Sequence, residues 1–263
     1  MTTSAESPIK VSAADRNVAQ AGIAASTLKV SPHAPATSAQ EKGERVPAAG
    51  TQYSPSQSSA GVKAARLVVL ISGSGTNLQA LIDACEDPGY GCEVVAVGSD
   101  RPGVKGLERA EKAGIPTFVE RVGDYASREE WDGAMTEVVE GFDPDLVISA
   151  GFLRLLGPEF LNTFDGRVVN THNSLLPSFA GIRGPADALA YGVKYTGATL
   201  FFVDPGMDTG RVIAQCVVPV EAGDTLAELL ERIQVAERRQ LVEIVGKMMR
   251  EGWTTTGRWV EVG

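Results

Sequence analysis

Residues 66–85 read RLVVLISGSGTNLQALIDAC, and this stretch decides the fold. The apolar run 66–71 has the length and the Val/Ile content of a buried strand. The Gly-rich loop 72–75 follows at once, and residues 76–85 then carry apolar side chains at helical spacing. A strand that passes through a short loop into a helix is the repeating unit of sheets whose strands run parallel.

The same alternation continues towards the end of the chain. Further strand-like runs are CEVVAVGS, PTFVE, DLVISAG, GRVVNTH, GATLFFVD and RVIAQCVVPV. Helical patterns separate most of them, and a long final helix is predicted over about residues 224–250. The pattern predicts an α/β fold: a doubly wound, mostly parallel sheet of about seven strands with helices on both faces. The last two strands, joined through PGMDTG, are predicted to form an antiparallel pair.

Residues 1–65 have a different composition, rich in Ser, Ala, Thr, Pro and Gln and without apolar periodicity. Such a segment cannot bury enough apolar surface to offset the entropy lost on ordering. We therefore predict a disordered, low-complexity tail over residues 1–65 and one folded domain over residues 66–263. Deleting residues 1–60 is accordingly expected to leave activity and melting temperature nearly unchanged.

Charge and cysteine content narrow the range of partners. The chain carries −9, and residues 1–65 hold six Lys/Arg and four Asp/Glu, so residues 66–263 carry −11. This charge disfavours a broad nucleic-acid surface, which needs clustered basic side chains. No apolar run reaches the length of a membrane span. The three cysteines show no metal or redox spacing, which predicts a reducing, cytoplasmic location.

The Gly-rich loop has the composition of an anion site. Gly73 and Gly75 allow the backbone to approach a ligand, and the free amides of the following helix attract an anion. Thr76 and Asn77 add side-chain donors. The loop lacks the Lys-Ser/Thr pair of a P-loop and the third glycine of the dinucleotide fingerprint. Two interpretations stay open: a phosphate site, or a tight strand-to-helix turn.

Three more polar segments are expected near this loop, because ligands bind beyond the carboxyl ends of parallel strands. These segments are SAGFLRLL (149–156), NTHNSLLP (170–177) and VDPGMDTG (203–210). Their convergence with SGSGTN (72–77) on one edge of the sheet predicts a ligand site there.

A set of groups suited to proton chemistry lies in these segments. His172 is one of two histidines in the chain, and the other, His33, lies in the predicted tail. Asn170 and His172 are two residues apart along a strand, so their side chains leave on the same side. A carboxylate from Asp204 or Asp208 would favour the charged imidazole ring. Such a set suits acyl or formyl transfer, which develops an oxyanion and moves a proton, although each residue also has an ordinary structural interpretation.

Other chemistries have weaker support. One histidine and dispersed cysteines do not make a usual zinc set, so we expect no metal. Ser174 lies close to His172 in sequence, but no G-x-S-x-G elbow contains it. The residues therefore favour electrostatic and proton-transfer catalysis over a covalent route.

From Arg66 to about Arg250 the chain resembles the folate-dependent phosphoribosylglycinamide formyltransferases. The resemblance rests on VVLISGSGTNLQALIDAC, GLERAEKAGIPT, DLVISAGFLRLLGPEFL, GRVVNTHNSLLPSFAG and DTGRVIAQ, in that order. It implies the formyltransferase fold and an enzyme of purine biosynthesis. The implied reaction transfers a formyl group from the co-substrate 10-formyltetrahydrofolate to the amine of glycinamide ribonucleotide. A homodimer is compatible with it.

The resemblance also implies roles for particular residues. The implied catalytic residues are Asn170, His172 and Asp208, which favours Asp208 over Asp204 as the partner of the imidazole. The residues implied to hold the ribonucleotide and its phosphate are Gly75, Thr76, Asn77 and Glu237. The residues implied to contact the folate are Arg128, Leu153, Arg154, Leu155, Leu156, Asn170 and Asp204.

The implied mechanism is direct attack of the substrate amine on the formyl carbon. Asn170 and protonated His172 stabilise the oxyanion, and Asp208 keeps the ring charged and oriented. The excess proton moves to the folate nitrogen that leaves, and no covalent enzyme intermediate is needed.

Four positions depart from the usual family pattern. Asn173 and Arg211 stand where the family usually has proline, Phe201 where it usually has histidine, and SFAG (178–181) replaces a usual Pro-Gly. Since Phe201 cannot form a hydrogen bond, we predict that the surroundings of the site differ from the standard ones.

Three alternatives share parts of this pattern. A methionyl-tRNA formyltransferase would need a C-terminal domain and a basic face for tRNA. A formyltetrahydrofolate deformylase would carry a folded regulatory domain before the catalytic one. A non-catalytic folate- or nucleotide-binding paralogue is motivated by Phe201 and Arg211, but a binding module would not need the three groups Asn170, His172 and Asp208 together.

Overall fold

The structure is a computed structural model that describes residues 51–53 and 63–263. Its strands are β1 Thr51–Tyr53, β2 Ala65–Ile71, β3 Cys92–Ser99, β4 Thr117–Val119, β5 Leu146–Ser149, β6 Val168–His172, β7 Tyr195–Phe202, β8 Val212–Pro219, β9 Trp253–Thr256 and β10 Trp259–Val262. Its α-helices are α1 Thr76–Cys85, α2 Lys105–Lys112, α3 Arg128–Glu140, α4 Pro158–Thr163, α5 Gly184–Tyr191 and α6 Leu226–Glu251. Short 3-10 helices cover Pro88–Tyr90 and Val122–Asp124.

The main sheet has seven strands in the order β4-β3-β2-β5-β6-β7-β8. The strands from β4 to β6 pair in parallel, whereas β7 pairs antiparallel with both β6 and β8. The predicted mostly parallel sheet of about seven strands is therefore confirmed, with its antiparallel pair at one edge. No helix in the described ranges is long and apolar enough to cross a membrane.

Alternate residues of β2 show why helices cover both faces. Leu67, Val69 and Ile71 belong to a buried cluster that includes apolar residues of α1 and α6. Val68 and Leu70 belong to a second cluster with apolar residues of α3 and α4. Because neighbouring side chains of a strand point to opposite faces, the two clusters lie on opposite sides of the sheet. A strand buried on both faces reads as a continuous apolar run, as 66–71 does.

A second, three-stranded sheet in the order β1-β9-β10 was not predicted. Its first strand, Thr51–Tyr53, falls in the range predicted to be a disordered tail, and Ala65, the last residue of that range, begins β2. The tail prediction therefore does not hold for these four residues. The Tyr53 ring stacks on Trp253 with centroids 4.1 Å apart, and its hydroxyl donates to Asp145 Oδ1 at 3.2 Å. The rest of the predicted tail, residues 1–50 and 54–62, lies outside the described residues. The division into tail and domain otherwise stays a prediction.

Strand β1 changes the expected result of truncation. Deleting residues 1–60 removes Tyr53 and uncovers Trp253, which is buried. Loss of an aromatic pair and its buried surface costs about 1–3 kcal/mol, or several degrees in Tm for a domain of this size. Deleting residues 1–50 keeps β1 and is expected to leave Tm nearly unchanged. Thermal denaturation of the two truncated proteins checks this, and equal Tm values would mean that β1 does not stabilise the fold.

Candidate active site

The Gly-rich loop between β2 and α1 packs closely against the start of α2. Gly75 has φ 66°, and a Cβ at this position would lie 2.6 Å from the Gly106 Cα. The Gly106 amide donates to the Gly73 carbonyl at 3.0 Å. Both the left-handed φ and the lack of space therefore require glycine at position 75. The loop is a tight turn, and it also forms one wall of a cavity.

This cavity has a volume of about 230 Å³ and collects the residues predicted to bind the ribonucleotide. Its lining includes Gly75, Thr76, Asn77 and, from α6, Glu237. Glu237 is buried there, although an ionisable side chain is rarely buried without a partner. The start of α1 supplies backbone amides suited to an anion. Helix and loop thus offer donors on one side, and the Glu237 carboxylate offers acceptors on the other.

A larger cavity of about 550 Å³ lies beside it. Its apolar wall includes Leu153, Leu155 and Leu156 from the segment between β5 and α4, together with Phe201. Its polar lining residues include Arg154, Asn170, His172, Asp204 and Asp208. A mostly apolar cavity with a few polar groups is typical of sites for small organic ligands.

The two cavities meet at the end of β6. Gly151, Leu153, Thr171 and Asn173 line both of them. The Asn77 amide donates to Thr171 Oγ1 at 3.4 Å, which links the start of α1 to β6. A ligand in one cavity can therefore lie next to a ligand in the other.

The imidazole of His172 has acceptors at both ring nitrogens. Nε2 lies 2.9 Å from the Phe179 carbonyl oxygen, and Nδ1 lies 3.7 Å from Asp208 Oδ2. The His172 and Asp208 side chains are only 11% and 12% exposed. A carbonyl oxygen can only accept, so Nε2 carries a proton. Nδ1 then faces the Asp208 carboxylate across 3.7 Å, which is longer than a hydrogen bond.

The loop between β7 and β8 brings Asp208, and not Asp204, next to this ring. Asp208 has φ 55°, and its Oδ2 also accepts from the Gly181 amide at 2.7 Å. Asp204 Oδ1 instead accepts from the Gly206 amide at 3.1 Å and from Thr209 Oγ1 at 2.6 Å, within its own loop. Of the two carboxylates left open by residue type alone, Asp208 lies in ion-pair range of His172.

Several known proteins are similar to this chain in sequence and in fold. A sequence model described as formyl transferase matches residues 65–245. The phosphoribosylglycinamide formyltransferase of Mycobacterium tuberculosis (strain ATCC 25618 / H37Rv) is 51% identical over 199 residues, which cover 76% of this chain and 92% of that protein. The chain belongs to the phosphoribosylglycinamide formyltransferase family.

Two other members of the family set the extent of the similarity. A human trifunctional purine biosynthetic protein, adenosine-3, is 46% identical over 177 residues, which cover 67% of this chain and 18% of that protein. A crystal structure of glycinamide ribonucleotide transformylase 1 from Symbiobacterium toebii has a TM-score of 0.74 and 40% identity. That match covers 76% of this chain and 94% of the other. The resemblance and the fold class given above are thereby confirmed, and the protein is a transferase.

The departures from the usual family pattern occupy definite places. Phe201 is buried, pairs with Asn170 in the β6–β7 register and lines the larger cavity. Arg211 donates from Nε to the Gly257 carbonyl at 2.7 Å. Asn173 lines both cavities, and its Nδ2 is buried without a hydrogen-bond partner among the described residues. The sequence analysis noted Asn173 only as a departure from the family pattern and did not predict it as a lining residue.

Arg128 is the one residue of the predicted set that lines neither cavity. It begins α3, and its guanidinium donates to the Leu155 carbonyl while lying 4.4 Å from the centroid of the Trp131 ring. Arg128 thus holds the backbone of the segment that carries the cavity leucines, without lining the cavity itself. Its predicted contact with folate stays a prediction.

Arg154 is held in the larger cavity by a buried carboxylate. Its Nε lies 2.7 Å from Asp100 Oδ2, and Arg101 NH2 approaches the same oxygen at 2.8 Å. Burial acts to raise the pKa of Asp100, but hydrogen bonds from the two guanidiniums and from the Ser72 hydroxyl outweigh it and lower the pKa to about 2.

Among residues 51–53 and 63–263, no group of three His, Cys, Asp or Glu side chains is placed to hold a metal ion.

The lowered pKa of Asp100 predicts a pH-dependent contribution to stability. Because the folded-state pKa of about 2 lies below the unfolded value of about 3.9, this contribution is present above pH 4 and is lost as pH falls through 2. Asp100→Asn is expected to reduce the free energy of unfolding by about 1–2 kcal/mol at pH 7, after allowance for screening at the exposed guanidiniums. Urea denaturation at pH 7, 4 and 2.5 should show this difference shrinking. A difference that stays constant down to pH 2.5 would contradict the assignment.

Proposed function

We propose that the protein transfers a formyl group from 10-formyltetrahydrofolate to the amine of glycinamide ribonucleotide in purine biosynthesis. The observation that carries this proposal is the pair of adjoining cavities at the end of β6. The smaller one has the backbone amides and the Glu237 carboxylate that suit a phosphate and a ribose. The larger one has the apolar wall and few polar groups that suit a pteridine ring.

The size of each cavity fits this assignment. The larger cavity, at about 550 Å³, lies within the range of drug-sized ligand sites, and the smaller, at about 230 Å³, suits a compact polar ligand. Because the two cavities meet at the end of β6, an amine bound in one can approach a formyl carbon bound in the other. The relatives named for phosphoribosylglycinamide formyl transfer support the same pair of substrates.

The reaction then needs no covalent enzyme intermediate. The substrate amine attacks the formyl carbon. The oxygen of the formyl group then becomes an oxyanion, which the Asn170 side-chain amide and the His172 imidazolium stabilise. The 3.7 Å between Nδ1 and Asp208 Oδ2 exceeds a hydrogen bond, so the N–H at Nδ1 is available to the reacting oxygen or to a water. The C–N bond to folate breaks as the proton lost by the amine reaches the leaving nitrogen, which yields tetrahydrofolate.

Asn173 lines both cavities, and it gives further support for a ligand that extends from one cavity into the other. A buried donor without a partner costs about 1–3 kcal/mol, so such groups are rare in folded proteins. An acceptor on a substrate in this position would remove that cost. The Phe201 side chain makes the surface of the larger cavity apolar beside Asn170. Because this side chain cannot form a hydrogen bond, stabilisation of the oxyanion falls to Asn170 and His172.

The decisive experiment is a spectrophotometric assay of folate deformylation with and without glycinamide ribonucleotide. Folate product that appears only with the ribonucleotide supports the transferase. Product that forms without it would indicate the hydrolase, a formyltetrahydrofolate deformylase. Tight folate binding with no product under either condition would indicate a non-catalytic paralogue. Cytoplasmic location, absence of nucleic-acid and membrane partners, and a homodimer stay predictions.

A further inference from the structure

The C-terminal hairpin lies beyond the part of the chain matched by the family model, which ends at residue 245. Its turn between β9 and β10 contacts the loop that carries Asp208. The guanidinium Nη2 of Arg258 donates to the carbonyls of Thr209 and Gly210 at 2.8 and 2.9 Å. In the opposite direction, Arg211 Nε donates to the Gly257 carbonyl at 2.7 Å. Three hydrogen bonds thus join the hairpin turn to the three residues that follow Asp208.

The hairpin itself is firmly attached to the domain. Trp253 at its start is buried in the core cluster and lies 5.8 Å, centroid to centroid, from the Phe202 ring of β7. At its other end, Lys247 Nζ of α6 donates to the Val262 carbonyl at 2.7 Å. A turn anchored in this way can hold a loop, because its own position is set by the core.

The loop needs such support at Asp208. A non-glycine residue with a positive φ is disfavoured and persists where surrounding contacts fix it. The Asp204 carboxylate, which precedes Asp208 in the chain, accepts from Gly206 before Asp208 and from Thr209 directly after it. On the C-terminal side, the carbonyls held by Arg258 come directly after Asp208 in the chain.

We propose that Arg258 is a positioning residue that keeps Asp208 opposite His172. This inference rests on the proposed function, in which the His172 imidazole, 3.7 Å from Asp208, stabilises the oxyanion. Arg258 touches no reacting group, and it acts through the backbone of Thr209 and Gly210. Small displacements of catalytic groups cost large factors in rate, so loosening this loop should lower turnover.

The test compares three variants of the full chain. Arg258→Met removes the guanidinium and keeps much of the side-chain volume, and Arg258→Lys restores a charge with a different donor geometry. Arg167→Met is the matched control: it also removes a guanidinium that donates to two backbone carbonyls, those of Pro144 and Thr163, but Arg167 precedes β6 at the end of that strand away from His172. We expect Arg258→Met to lower kcat about tenfold with KM values changed less than threefold, Arg258→Lys to recover part of kcat, and Arg167→Met to keep the kcat of the wild type.

A second readout separates positioning from mere stability. The Gly181 amide donates to Asp208 Oδ2 at 2.7 Å, so its rate of hydrogen exchange, read by NMR, reports whether Asp208 stays in place. In Arg258→Met this amide should exchange faster than in the wild type, whereas in Arg167→Met its exchange should be unchanged. Unchanged exchange and kcat in Arg258→Met would overturn the inference. If the wild type itself transfers no formyl group, the proposed function fails, and the exchange of the Gly181 amide still decides whether Arg258 holds Asp208 in place.

Discussion

His172→Ala is expected to lower the turnover of formyl transfer by roughly a hundredfold or more while the protein stays folded. In the proposed mechanism the substitution removes the group that stabilises the developing oxyanion, and among the described residues no other histidine can replace it. The ring is also largely enclosed, and partial exclusion of water makes its charge more effective than it would be in bulk solvent. Steady-state kinetics with saturating ribonucleotide and folate measure the effect on kcat.

The control for this variant concerns the Phe179 carbonyl, which loses its donor when the ring is removed. Ser174 Oγ also donates to that carbonyl at 3.2 Å, so the acceptor keeps a partner and the loss of stability should be small. His172→Asn, which retains a side-chain amide, serves as a second variant if the alanine variant unfolds. Near-normal turnover in either folded variant would remove His172 from the mechanism.

The main sheet could be predicted because its strands are buried on both faces. A run such as 66–71 leaves little choice of structure, and the Gly-rich loop and the helical pattern after it fix the direction of the chain. The small sheet could not be predicted, because β1 is three residues long and pairs with β9 some 200 residues away. Its stability comes from the stacking of Tyr53 on Trp253, and no local pattern records such a contact.

The candidate site was predictable to the extent that it is made of side chains at strand ends. Parallel strands bring those ends together, so the Gly-rich loop, Asn170 and His172 were expected at one edge. Three features could not be read from residue types: the Phe179 carbonyl beside Nε2, the unpartnered amide of Asn173, and Arg258 on the Asp208 loop. The first is a backbone group, and the other two depend on packing between distant segments.

Arg128 and Asp204 show the opposite limit. Both were carried over by resemblance, and both are near the larger cavity, but each makes a contact within the protein. Arg128 donates to the Leu155 carbonyl, and Asp204 accepts from Thr209. Side chains that hold a loop and side chains that bind a ligand look alike in a sequence, because both roles use the same donors and acceptors.

Asp208→Asn is expected to lower kcat by two to three orders of magnitude. Asparagine is nearly isosteric, tolerates the φ of 55° at this position, and can still accept from the Gly181 amide. The variant therefore isolates the negative charge 3.7 Å from Nδ1. In the proposed mechanism the carboxylate orients the ring and compensates its positive charge, so without it the ring should stabilise the oxyanion less well.

Asp204→Asn is the matched control, since it changes a carboxylate of the same loop that faces Thr209 and not His172. Its effect is expected to be within about tenfold and to fall mainly on the KM for folate, because Asp204 lines the larger cavity, where we propose that folate binds. Steady-state kcat and KM values for the wild type and both variants make the comparison. Equal losses in the two variants would mean that the carboxylates act only by shaping the loop. A larger loss of kcat in Asp208→Asn alone would mean that the charge beside His172 is what the reaction requires.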